Sequence, residues 1–99
     1  MKIVNSEEFK NLINQDCIVS FSTSWCGPCK MLTPTLETIT EVDVYKVDAD
    51  SEPELCIEYG IRSVPTIISF KEGKEYKRLT GNQSKNKILE MLDYGLSNN

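Results

Sequence analysis

The sequence predicts an α/β protein built on a mixed five-stranded sheet flanked by four helices, in the order β-α-β-α-β-α-β-β-α. Three observations carry that expectation. Short apolar, β-branched runs alternate with segments of helical periodicity. Strands separated by helices favour parallel pairing. The last two strands are joined by a short turn and must therefore be antiparallel.

Lys2 to Val4 reads as a first strand, and Asn5 with Glu8 forms a capping-box pattern ahead of Phe9, Leu12 and Ile13 on one helical face. Cys17 to Phe21 is a compact apolar run, as expected of a central strand covered on both faces. After Trp25 and the CGPC segment, Met31, Leu32, Leu36 and Ile39 recur at helical spacing. The cysteine pair thus stands at a helix start, and Pro34 should kink that helix. Val42, Val44, Tyr45 and Val47 alternate as a strand does, which places Lys46 on the Val42/Val44 face, an inward lysine. Ser51 and Glu54 are expected to cap a third helix with Pro53 in its first turn, Leu55 to Tyr59 as its body and Gly60 as its stop. Thr66 to Phe70 and Glu75 to Leu79 flank a Lys71-Glu72-Gly73-Lys74 turn and form a hairpin with a charged outer edge. Ser84 caps a last helix from Lys85 to Leu96, with Ile88, Leu89, Leu92 and Leu96 on its apolar stripe.

With 99 residues and neither repeat nor linker, one domain spanning 1–99 is expected, large enough to fold without a metal or a staple. Eleven basic against fifteen acidic residues give a net charge of −4, with no basic stripe, so nucleic acid is not expected as a partner. The opening turns acidic before a signal-peptide core could form, and no apolar run is long enough to span a bilayer; a cytoplasmic protein away from membranes is expected. Histidine is absent, so chemistry must run on sulfur, carboxylate or hydroxyl.

Four cysteines stand at 17, 26, 29 and 56, and only the middle two form a CxxC. At a helix start, unpaired amide N–H groups and the positive end of the helix dipole favour a thiolate, and Cys26 gains most from both. Cys29, three positions on, can attack a mixed disulfide and release its partner. A purely structural crosslink is a poor alternative, because so short a loop constrains the unfolded chain by about 1 kcal/mol less than a fifteen-residue loop. Half a zinc site is another, but there is no second CxxC and no histidine, so Cys17 and Cys56 would have to serve as lone ligands; no metal is expected. Redox chemistry is the favoured reading. Cys17 and Cys56 read as small buried hydrophobes, Cys56 the less firmly since its helix is short, and a regulatory thiol there stays open.

Trp25-Cys26-Gly27-Pro28-Cys29-Lys30 closely resembles the active-site motif of the thioredoxin family, and the element order matches that family nearly end to end. Phe21, Pro34, Lys46, Asp50, Tyr59-Gly60-Ile61, Val64-Pro65-Thr66 and Gly81 extend the resemblance. It implies a thioredoxin fold and a general protein-disulfide reductase, with Cys26 as attacking nucleophile and Cys29 as resolving thiol. Gly27 and Pro28 would tune the redox potential. Trp25, Val64, Pro65 and Gly81 would frame the substrate groove, with the Val64–Pro65 bond cis. Implied partners are disulfide-containing client proteins and a separate flavin-dependent thioredoxin reductase; no bound cofactor is needed, and a monomer is expected.

One position departs from the family pattern: Ser20 stands where a buried aspartate is usual, so the carboxylate base for the resolving cysteine is missing. Serine can assist only by hydrogen bonding or by holding a water. Lys46, without its usual partner, is expected to favour the neutral amine or to act on the thiolate directly, and the second exchange step to be slower than in aspartate-containing relatives. Ser20 and Lys46 therefore join the redox-tuning set. Two other functions compete with the general reductase. One is a glutaredoxin-like or dedicated donor to ribonucleotide reductase, against which the central Gly-Pro argues for the glutaredoxin case. The other is a non-catalytic docking subunit, weakened by both cysteines being intact.

Overall fold

The computed structural model describes residues 1–92. Along them run β1 (Lys2–Ile3), α1 (Ser6–Leu12), β2 (Cys17–Ser22), α2 (Gly27–Glu37), β3 (Asp43–Asp48), α3 (Pro53–Glu58), β4 (Thr66–Lys71), β5 (Lys74–Thr80) and α4 (Lys85–Glu90). The sheet order is β1-β3-β2-β4-β5. β3 lies parallel to both β1 and β2, while β4 pairs antiparallel with β2 and with β5. The predicted mixed sheet and order of elements are present.

All six residues of β2 are buried, as expected of the central strand. Its alternation divides the core. Cys17, Val19 and Phe21 face Phe9 of α1 and Leu55 of α3, together with Ile68 and Phe70. Ile18 faces Leu32 and Leu36 of α2 and Ile88 of α4, together with Ile67. On the first face Phe9 meets Tyr59 and Phe70 edge-on, with ring centroids 5.3 and 5.4 Å away. Helices thus cover both faces.

The first cap forms as expected: Asn5 Oδ1 accepts from the Glu8 N–H at 2.8 Å, and Glu8 Oε1 accepts from the Asn5 N–H at 3.1 Å. The cap expected from Ser51 and Glu54 does not form. Asp48 takes the Ser51 hydroxyl and the Asp50 N–H, both at 3.0 Å, so Ser51 is spent on the preceding turn. Glu52 becomes the residue before α3, makes no side-chain cap, and instead accepts hydrogen bonds from the Ser6 N–H and hydroxyl, tying α3 to α1. Gly60, at φ +63, follows the end of α3.

The hairpin turns on Glu72 and Gly73, at φ +55 and +82, the left-handed pair that suits a two-residue connection. A Cβ on Gly73 would also come within 3.3 Å of Asn14 Oδ1. Ser84 caps α4 as expected, but the helix ends at Glu90, where Met91 and Leu92 make N–H bonds three residues back instead of four. The expected continuation to Leu96 falls partly outside the described residues. Pro34 sits inside α2 and supplies no N–H to the Lys30 carbonyl.

Candidate active site

β2 delivers the chain to one end of the sheet, and α2 begins there with Cys26 as its N-cap and Gly27 and Pro28 in its first turn. Proline is suited to that position because its φ is already helical and the missing N–H would have had no helical partner. Gly27 has nothing within 4 Å of where a Cβ would be. Cys26 and Cys29 are joined as a disulfide, their Cα atoms 5.2 Å apart. The Cys29 N–H donates to Cys26 Sγ at 3.1 Å, so an unpaired helix-start amide points at the sulfur, as the position of the CxxC predicts. That amide and the helix dipole both stabilise negative charge on Cys26 once the bond is opened.

The two sulfurs are not equally placed. Both residues are mostly buried, with Cys26 5% and Cys29 4% exposed. The Val64 carbonyl oxygen lies 3.6 Å from Cys26 Sγ, which puts the β4 approach loop directly over that sulfur. The Val64–Pro65 bond is cis, and the Pro65 carbonyl accepts from the Gly81 N–H at 2.8 Å. Gly81, at φ +81, adopts the left-handed conformation that favours glycine. Trp25 is 69% exposed, its indole N–H donating to Asp50 Oδ2 at 2.9 Å. Trp25, Val64, Pro65 and Gly81 are therefore brought together around the disulfide. Asp50 was not among the expected site residues, and only its tie to Trp25 reveals its part.

Ser20 and Lys46 face each other in register across β2 and β3, on the α2 side of the sheet. Ser20 is 1% exposed. Lys46 Nζ donates to Thr33 Oγ1 at 3.3 Å, and that hydroxyl donates to the Cys29 carbonyl at 3.1 Å. Lys46 is thus linked to the backbone of Cys29 through Thr33, a residue that sequence reasoning passed over. Its position four residues after Cys29 on one helix was the available signal.

The remaining thiols are separate. Cys17 is buried in the core, and burial foremost, then Asp43 and Asp16, push it up to about 12. Cys56 is half-buried; burial and the carboxylates of Asp48, Asp50 and Glu52 hold it above the ordinary thiol range. No group of three or more metal-ligating side chains occurs among the described residues.

The family model for thioredoxin matches residues 1–94. The chain belongs to the thioredoxin family. It is similar to the thioredoxin of Chlamydia caviae, 38% identical over 98 residues covering 94% of this chain and 96% of the relative. The thioredoxin of Rickettsia felis is 39% identical over 98 residues, covering 92% and 93%. Among solved structures, the thioredoxin of Plasmodium falciparum superposes with a TM-score of 0.84 at 34% identity, covering 95% of this chain and 99% of that one. A thioredoxin variant from Halobacterium salinarum gives 0.86 at 31% identity, covering 93% and 87%. As in the rest of the thioredoxin family, the function is general thiol–disulfide exchange, and the chain carries the redox-active pair that does it. Family membership brings disulfide-containing substrates and a reductase partner with it.

Proposed function

We propose that Cys26 attacks and Cys29 resolves. The supporting observation is the hydrogen bond from the Cys29 N–H to Cys26 Sγ at the start of α2, which favours charge on the first sulfur. In the reduced protein the Cys26 thiolate attacks one sulfur of a client disulfide, forming a mixed disulfide and expelling the first client thiolate. Cys29, deprotonated, then attacks Cys26 Sγ; the second client sulfur leaves as thiolate, and the Cys26–Cys29 bond closes. Two electrons pass from the dithiol to the client, and a flavin-dependent reductase returns two by the reverse exchange.

In this reading Gly27 and Pro28 tune the pair by setting the backbone of the first turn. Trp25, Val64, Pro65 and Gly81 hold the client chain beside Cys26. Ser20 and Lys46 tune the second step from beneath, Lys46 through Thr33. The protein acts as a single domain over 1–99, as a monomeric electron carrier in the cytoplasm. No helix among the described residues is long and apolar enough to cross a membrane.

Cys29→Ser supplies the test. The variant should stall as a mixed disulfide on Cys26, visible as a client-sized mass increase lost on adding dithiothreitol, while Cys26→Ser traps nothing and leaves insulin unreduced. Equal trapping by both variants, or trapping only through Cys29, would reverse the assignment.

A further inference from the structure

Beside the disulfide, on the α3 side, lies an open groove of about 490 Å³. Trp25, Ile57, Ile61 and Val64 give it an apolar lining, and Ile57 is 79% exposed with nothing covering it. Two polar groups line it from within the fold. Thr23, 7% exposed, carries a buried hydroxyl with no hydrogen-bond partner among the described residues. Thr23 follows β2 on the alternation that points Cys17, Val19 and Phe21 toward α3, the side on which the groove opens. Cys56 is the second, with Sγ 3.9 Å from the Ala49 carbonyl.

The charge around this groove is unbalanced. Asp50 and Arg62 both line it, and Asp48 and Glu52 stand close behind. After burial itself, the carboxylates of Asp48, Asp50 and Glu52 push the Cys56 thiol up, so three carboxylates stand around the groove against the one lining cation, Arg62. Asp50 also accepts from the Trp25 indole N–H, so a carboxylate and an exposed aromatic face stand side by side. Together they match a cation, one by charge and the other by its ring quadrupole. A second copy of this chain is a poor occupant, since it would bring the same carboxylates and a net charge of −4.

We propose that this groove selects client segments in which an apolar side chain and a lysine or arginine lie within two residues of the reacting cysteine. The apolar side chain takes the Ile57–Ile61 wall and the cation the Trp25–Asp50 corner. This rests on the reading of Cys26 as the attacking thiol, and it names the client chemistry that the same site prefers.

The test uses the reduced full chain and peptides of one sequence, each with its single cysteine blocked as a mixed disulfide with thionitrobenzoate. A leucine is fixed next to the cysteine, and the residue beyond it is Lys, Gln or Glu. The Lys peptide should react faster than the Glu peptide by about fivefold at low ionic strength, the ratio falling toward one in about 1 M salt. Ile57→Lys should cut the ratio, and Glu52→Gln should lower it while keeping an acceptor for Ser6. Equal rates for the three peptides, a ratio indifferent to salt, or a ratio unmoved by Ile57→Lys would overturn the proposal. Rates that drop as protein concentration rises would assign the groove to a second copy and overturn it too. If no peptide and no simple aryl disulfide is reduced, it is the role of Cys26 that fails; if all are reduced without preference, only the groove selectivity fails.

Discussion

Replacing Ser20 with aspartate sets two opposed effects against each other at a site where both can be sized. Ser20 is 1% exposed, so a carboxylate there loses nearly all its water. Full burial raises a carboxyl pKa by up to about 3–5 units. Against this stands Lys46, its register partner on β3. At ~6 Å and an effective dielectric of about 20, an ammonium returns roughly 3 kcal/mol, or about two units. The net expectation is an aspartate near pH 6, about two units above its unfolded value. A carboxyl raised in the folded state carries no electrostatic penalty below about pH 4, and its deficit grows until it is complete above about pH 6. Ser20→Asp should therefore lose about 2.2 kcal/mol more stability at pH 8 than at pH 4, where the unfolded carboxyl is already partly ionised, each relative to the parent, in urea unfolding of the oxidised form. The same carboxylate supplies the base that Cys29 lacks, so decay of a mixed disulfide on Cys26 should accelerate between pH 6 and 8. A stability difference flat with pH, with resolution unchanged across that range, would refute the account of both Ser20 and Lys46.

Alkaline conditions probe Cys17 in the same way. Its thiol is pushed up to about 12, against an unfolded value near 8.5, so its stabilising contribution is whole at neutral pH and is lost as pH rises between the two. From pH 7 to 10 the loss should be about 2 kcal/mol, and in Cys17→Ala that slope should shrink by the same amount; an identical slope would place the alkaline sensitivity elsewhere. Phe9→Ala removes the ring that meets Phe21, Tyr59 and Phe70, and should cost about 3–5 kcal/mol in urea unfolding. A loss under about 1 kcal/mol would mean that α1 is not anchored through Phe9.

Periodicity made most of the architecture readable. Cys17 to Ser22 is an unbroken apolar and small-residue run, and only a strand between two layers of helix can bury every residue of it. Asn5 and Glu8 marked a helix start because both halves of a reciprocal cap are local in sequence. Ser51 carried the same local signal and misled, because Asp48, three residues earlier, competes for its hydroxyl and wins. The last helix leaves the regular ladder at Met91 and Leu92, short of expectation there, because an apolar stripe reports which face is buried and says nothing about where the backbone ladder stops. At the active site, the cysteine pair was legible from four adjacent residues, and its place at a helix start from the helical spacing of Met31, Leu32, Leu36 and Ile39 that follows. What could not be read were two contacts between distant segments, Asp50 on Trp25 and Thr33 under Lys46, and a buried Thr23 hydroxyl with no partner among the described residues. Each depends on how β2, β3 and the helices are stacked, and no spacing along the chain encodes that.

Cys26 is both the residue that caps α2 and, on the proposed mechanism, the one that changes its covalent partner at every turnover. Fraying of the first helical turn and affinity for electrons are thus two legs of one thermodynamic box. Anything that loosens the N-terminus of α2 weakens the anionic thiolate more than the neutral closed form, and so makes the protein a poorer oxidant. On the proposed reading, substitutions at Gly27 or Pro28, which form that first turn, shift the balance between the open dithiol and the closed disulfide.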